Sequence, residues 1–187
     1  MRLTSLWLVL AFTAPAALDA QPAAAPRASA CADTTRLVLG RLIGSYRAQI
    51  WFRTGSAAGD TSTARVTIRP VLDGCILEER LVGRRYGNPY SYLAWWGAHG
   101  GSARPVQRVF VHSQHGILGI SAGGWSADSL VLEDSASVRG RWIYERLVLV
   151  PSSNGFAGGF GSAQLRSEDG RQSWFVTQRT LYLRTAR

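Results

Sequence analysis

Glu78 and Glu79, in the run Asp73-Gly74-Cys75-Ile76-Leu77-Glu78-Glu79, are the first residues to test for acid–base chemistry. Two facing carboxylates could work as a pair, but neighbours on a strand point to opposite faces, so these two do not. Glu79 shares its face with Cys75 and Leu77. It is therefore expected inside, ion-paired to an inward arginine such as Arg108 rather than acting as a general base. His112-Ser113-Gln114-His115 offers two imidazoles with no nearby Cys or carboxylate, an incomplete metal site best read as a solvated turn. His99 sits apart in a Gly-rich loop, so no metal is expected. The densest aromatic run is Tyr90-Ser91-Tyr92-Leu93-Ala94-Trp95-Trp96. Tyr90, Tyr92 and Trp96 share one face and Trp95 takes the other. Such a face is either packed core or the wall of an apolar cavity with hydroxyl handles. Ser113, Ser121 and Ser173 lack a nucleophile-elbow context, and there is no phosphate loop, dinucleotide fingerprint or Cys-x-x-Cys pair. No catalytic residue and no cofactor are assigned.

The elements that must position these residues are mostly strands. Tyr46, Ala48, Ile50 and Phe52 alternate with Arg47, Gln49, Trp51 and Arg53, and Ala64, Val66 and Ile68 alternate with Arg65, Thr67 and Arg69. Asp73-Gly74 marks a hairpin, and Ser167-Glu168-Asp169-Gly170 marks another. Further strands are expected over 75–82, 90–96, 106–112, 117–121, 129–133, 138–150, 158–166 and 173–183. The Gly-rich stretch 155–161 reads as a bent strand or loop. Before all of them, Leu37, Leu39, Leu42 and Ile43 predict one short helix over 33–43, capped by Asp33 or Thr34 and stopped by Gly44. About ten strands after one helix argue for an all-β antiparallel barrel, since closure leaves no exposed edge.

Residues 1–20 read as a signal peptide: Arg2, an apolar run, and a small-residue end at Leu18-Asp19-Ala20. The apolar run is too short to span a bilayer. Residues 21–32 form an Ala/Pro-rich leader expected to be disordered, and residues 33–187 form one domain. The mature protein is thus expected in the periplasm or secreted. A Cys31–Cys75 disulfide suits that compartment, beside two other readings: lipidation at Ser29-Ala30-Cys31, or unpaired thiols. The net charge is +9, and all 21 basic residues are arginine. Because they scatter through strand-like segments rather than cluster, a nucleic-acid surface is not expected.

Several motifs together carry a resemblance. Leu42-Ile43-Gly44-Ser45-Tyr46 is similar to the Gly-x-Trp opening of the calycin superfamily, with Tyr in place of Trp. Gly74-Cys75-x-Leu77-x-Glu79, Ser167-x-Asp169-Gly170-x-x-Ser173-Trp174 and Tyr182-x-Arg184 resemble an exported bacterial lipocalin-like family of unknown function. The resemblance implies a calycin/lipocalin-like barrel in which a late arginine, Arg184 first and Arg179 second, stacks on Tyr46 to close one end, a structural pair contributing about 1–2 kcal/mol. Related nitrobindins bind haem through a histidine, but no histidine here falls on a matching motif.

The expected function is non-catalytic binding of a small apolar or amphipathic molecule in the lumen, with Glu79, Tyr90, Tyr92, Trp96, Arg108 and Phe110 around it. Arg108, Tyr92 and Glu79 would hold its polar end. An enzyme using Glu79 and Tyr92, or an envelope protein with a barrel filled by side chains, are the other readings.

Overall fold

The computed structural model describes residues 30–53, 59–100, 104–113, 116 and 118–185. The signal peptide at 1–20, most of the leader, and Gln114 and His115 lie outside the described residues. Ten strands follow one another: β1 (Gly44–Phe52), β2 (Thr61–Val71), β3 (Ile76–Arg85), β4 (Asn88–Ala98), β5 (Val106–His112), β6 (Leu118–Ser126), β7 (Ser129–Val138), β8 (Arg141–Ser152), β9 (Gly159–Ser167) and β10 (Phe175–Arg184). Each pairs antiparallel with the next, and β1 pairs with β10 to close the barrel. Alternation does what the sequence predicts. Tyr46, Ala48, Ile50 and Phe52 face the core from β1, and Leu77, Glu79 and Leu81 face it from β3.

One end of the barrel is plugged. Helix α1 (Ala30–Leu39) and the turn Gly40–Leu42 lie at the end where β1 begins, sending Leu39 and Leu42 into the core. Trp125 of β6 donates its indole N–H to the Val38 carbonyl (2.9 Å), and the Arg41 guanidinium lies over the Trp125 ring at 4.2 Å. A one-turn helix α2 (Gly155–Gly158) adds Phe156, whose ring meets Phe160 at 5.8 Å. Cys31 of α1 is bonded to Cys75, at the turn between β2 and β3.

Arg184 stitches the same end together. Tyr46 and Arg184 are register partners across the closing seam, with the guanidinium carbon 5.1 Å from the ring centre. Arg184 donates to the Tyr46 hydroxyl (3.0 Å) and the Ile43 carbonyl (3.0 Å), while Tyr46 donates to the Leu42 carbonyl (2.8 Å). Stacking thus comes with hydrogen bonds that join the turn, β1 and β10.

Several boundaries differ from the sequence reading. The helix begins at Ala30, not Asp33, so Cys31 and Ala32 belong to it rather than to a disordered leader. Neither proposed cap acts as one, because Asp33 and Thr34 lie inside the helix, where the Thr34 hydroxyl donates back to the Ala30 carbonyl; the neighbouring Thr35 hydroxyl donates to the Cys75 carbonyl. The disulfide and that second bond tie the segment to the barrel, and tertiary ties override local capping. The expected single strand over 138–150 is a hairpin arm, because Arg139 (φ 51) and Gly140 (φ 78) turn the chain between β7 and β8. Two successive positive φ angles define the hairpin turn, and an arginine is an uncommon choice for the first. Finally, Gly155–Gly158 forms a helical turn rather than a loop.

Two outcomes follow from these ties. Replacing both Cys31 and Cys75 by Ser reopens a loop of sequence separation 44 and should lower unfolding stability by about 4 kcal/mol in urea titrations. An unchanged urea midpoint would show that the bridge contributes nothing. Arg184→Met removes the bonds to Tyr46 and Ile43 and should cost about 2 kcal/mol by the same measurement.

Candidate functional site

Between the plug and the far rim the barrel is hollow. The lumen encloses about 970 Å³. Glu79, Tyr90, Tyr92, Trp96, Arg108 and Phe110, the six residues expected around a ligand, all line it. β4 contributes Tyr90, Tyr92 and Trp96 on its inward face, and the neighbouring β5 contributes Arg108, Phe110 and His112.

Glu79 is 3% exposed and accepts a hydrogen bond from the Trp96 indole N–H (3.1 Å). Burial pushes its carboxyl above the usual carboxylate range. The Arg108 charge and the hydrogen bonds from Trp96 and Tyr182 pull the other way without prevailing. The expected contact ion pair with Arg108 is not formed; among the described residues Arg108 acts on Glu79 through space. Its guanidinium lies instead over three rings, those of Phe110 (4.6 Å), Trp96 (4.9 Å) and Tyr92 (5.1 Å). Gly119, opposite Phe110 on β6, makes room for this arrangement, since a Cβ there would stand 2.2 Å from the Phe110 ring.

The sequence reading missed the lumen's other carboxylates. Asp134 of β7 and Glu145 of β8 are register partners and both line the cavity. Ending the seventh strand at residue 133 and merging 138–150 hid them. Yet Leu130, Leu132 and Asp134 alternate on one face, a signal present in the sequence. Burial first, and the Glu145 charge second, push Asp134 up to about 6, against the pull of Arg108.

Other expected residues lie elsewhere. Glu78 points outward and pairs with Arg69 (2.9 Å). Ser173 is exposed; its hydroxyl first, and its backbone N–H (3.0 Å) second, donate to Asp169 and hold that carboxylate well below its ordinary range. His112 ends β5 and faces the lumen, 6.2 Å from the Tyr90 ring. Among the described residues no group of three or more His, Cys, Asp and Glu side chains converges as a metal site, and no helix is long and apolar enough to cross a membrane.

Fold and site together define a closed, ten-stranded antiparallel barrel with a hollow, mixed apolar and charged interior. A similar fold occurs in the crystal structure of Rv2717c from M. tuberculosis, with a TM-score of 0.56 and 16% sequence identity over 82% of this chain and 98% of that one. At that identity the likeness concerns fold alone. No protein-family model matches the chain, and no curated protein matches it either.

The Asp134 shift has a definite sign in stability. An unfolded aspartate titrates near 3.9, so between about pH 4 and pH 6 the native state keeps a proton that the unfolded state releases. Stability therefore falls as pH rises through that window. Asp134→Asn should flatten this fall and raise stability at pH 7, measured by urea unfolding at several pH values. Some slope will persist, because the Glu79 shift acts in the same direction. A variant with the parent's pH profile would contradict the assignment.

Proposed function

We propose that the protein is an exported barrel that binds one small apolar or amphipathic molecule in its lumen and does not transform it. The observation that supports this is the cavity itself. A volume of about 970 Å³ lies at the upper end of the range for small-molecule sites. Its wall also has the composition such sites use: apolar and aromatic surface from Leu81, Tyr90, Tyr92, Trp96 and Phe110, with a few polar groups among them. The signal-like segment at 1–20 supports export.

A second reading draws on the raised carboxylates of Glu79 and Asp134, which is how a lumen enzyme would poise a general base. The two readings part on the fate of the ligand. A carrier releases its co-purifying molecule unaltered, whereas an enzyme yields a product that Asp134→Asn or Glu79→Gln stops forming.

Binding itself is tested with N-phenyl-1-naphthylamine, a neutral probe that fluoresces in apolar surroundings. Saturable binding at one site per chain is expected. Ala136→Trp places an indole in the cavity and should weaken it by about tenfold, equivalent to ~1.4 kcal/mol. Absence of saturable binding, or an Ala136→Trp variant that binds as well as the parent, would overturn the lumen as the site.

A further inference from the structure

The floor of the lumen carries an inference that rests on the binding reading. We propose that the bound molecule carries a carboxylate head and lies head first, with the carboxylate on Arg108 and its apolar part toward the open mouth.

The argument begins with what Arg108 lacks. It is 6% exposed, and its Nε has no hydrogen-bond partner. A guanidinium has five donors in a planar fork and no acceptor. The three rings around it offer attractive faces but not the lone pairs those donors require. Beside it, the Tyr92 hydroxyl is also buried and without a partner. A buried cation with no contact anion is costly to a fold unless something supplies the missing acceptors.

The lumen's own acids do not supply them. Glu79 is engaged with Trp96, Asp134 acts on Arg108 only through space, and Glu145 lies beside Arg166 (4.0 Å). A carboxylate matches what is missing, because its two oxygens accept the guanidinium fork in parallel and leave a lone pair for the Tyr92 hydroxyl.

Orientation follows from position along the strands. β5 runs from the plugged end outward, so Arg108 lies deep, and Phe110 and His112 lie successively nearer the mouth. The outer lining includes Tyr86, Leu118, Val138 and Phe175, all exposed and apolar. Charged side chains share that rim, Arg53, Arg85, Arg166 and Glu168 among them, so the head-first orientation follows from the depth of Arg108 alone: a head seated there leaves the rest of the molecule only the way to the mouth. A rival seat exists near the mouth, where Arg85 lies over the rings of Phe52 (4.7 Å), Tyr86 (5.5 Å) and Tyr90 (5.8 Å).

Displacement of bound N-phenyl-1-naphthylamine by decanoate, by its methyl ester and by decanol separates these possibilities. Decanoate should displace the probe at a concentration at least tenfold lower than the ester or the alcohol. Arg108→Met should erase that preference while keeping decanol displacement, Tyr92→Phe should reduce it in part, and Arg85→Met should leave it intact. Arg108→Met should also melt no lower than the parent, since it removes a buried cation without a contact anion. Should Arg108→Met not fold, the Tyr92→Phe and Arg85→Met pair still decides the matter. Equal displacement by acid and alcohol, or loss of the preference in Arg85→Met, would overturn the inference and leave the lumen site standing. A chain that never binds the probe and none of the three would overturn both.

Discussion

Every inward side chain in this barrel is placed by the hydrogen-bonded closure of β1 onto β10 through the Tyr46–Arg184 register. Closing a sheet fixes its diameter, and diameter grows with strand number. Eight tilted strands bring facing side chains near enough to fill the middle or to hold one small ligand. Ten strands set the walls further apart, and ordinary side chains no longer meet across the centre. The hollow is therefore a consequence of topology rather than of any single small residue. Among the described residues, α1, α2 and the stacked rings of Phe160 and Tyr182 (4.2 Å) supply the bulk that seals one end.

A side chain buried in a protein wall is poorly solvated when charged, and the interior is organised around that difficulty. Glu79 and Asp134 respond by holding protons more tightly, whereas Arg108 spreads its charge over aromatic faces. The same device recurs outside the lumen: Arg146 lies over Trp174 and Arg171 over Tyr144. A guanidinium is flat and weakly hydrated, which suits it to stacking, whereas an ammonium is compact and strongly hydrated. A basic composition made wholly of arginine thus serves as internal fastening at many points, which fits its scatter along the strands better than a surface for polyanions would.

Much of this was legible because strand periodicity is two, and alternation alone assigns a face. Tyr90, Tyr92 and Trp96 share one face on that basis and Glu79 turns inward with Leu77, whereas Arg108 enters only as a candidate partner for Glu79. Alternation is silent about distance, so it could not say that Arg108 stacks on rings instead of meeting Glu79. It also fails wherever a turn is misplaced. Arg139-Gly140 carries no usual turn dipeptide, and overlooking it removed Asp134 and Glu145 from the lumen. The helix start was hidden for a different reason: what holds Ala30–Leu39 in place is Cys75, which is far away in sequence.

The even strand count has one more consequence. An antiparallel meander of ten strands returns to the end from which it set out, so α1 enters and β10 leaves at the plugged end. Anything joined at Ala30 or beyond Thr185, whether a tether, a tag or a neighbouring domain, is attached behind the barrel. The mouth then faces away from its own attachment point, as a cup does when held by its base.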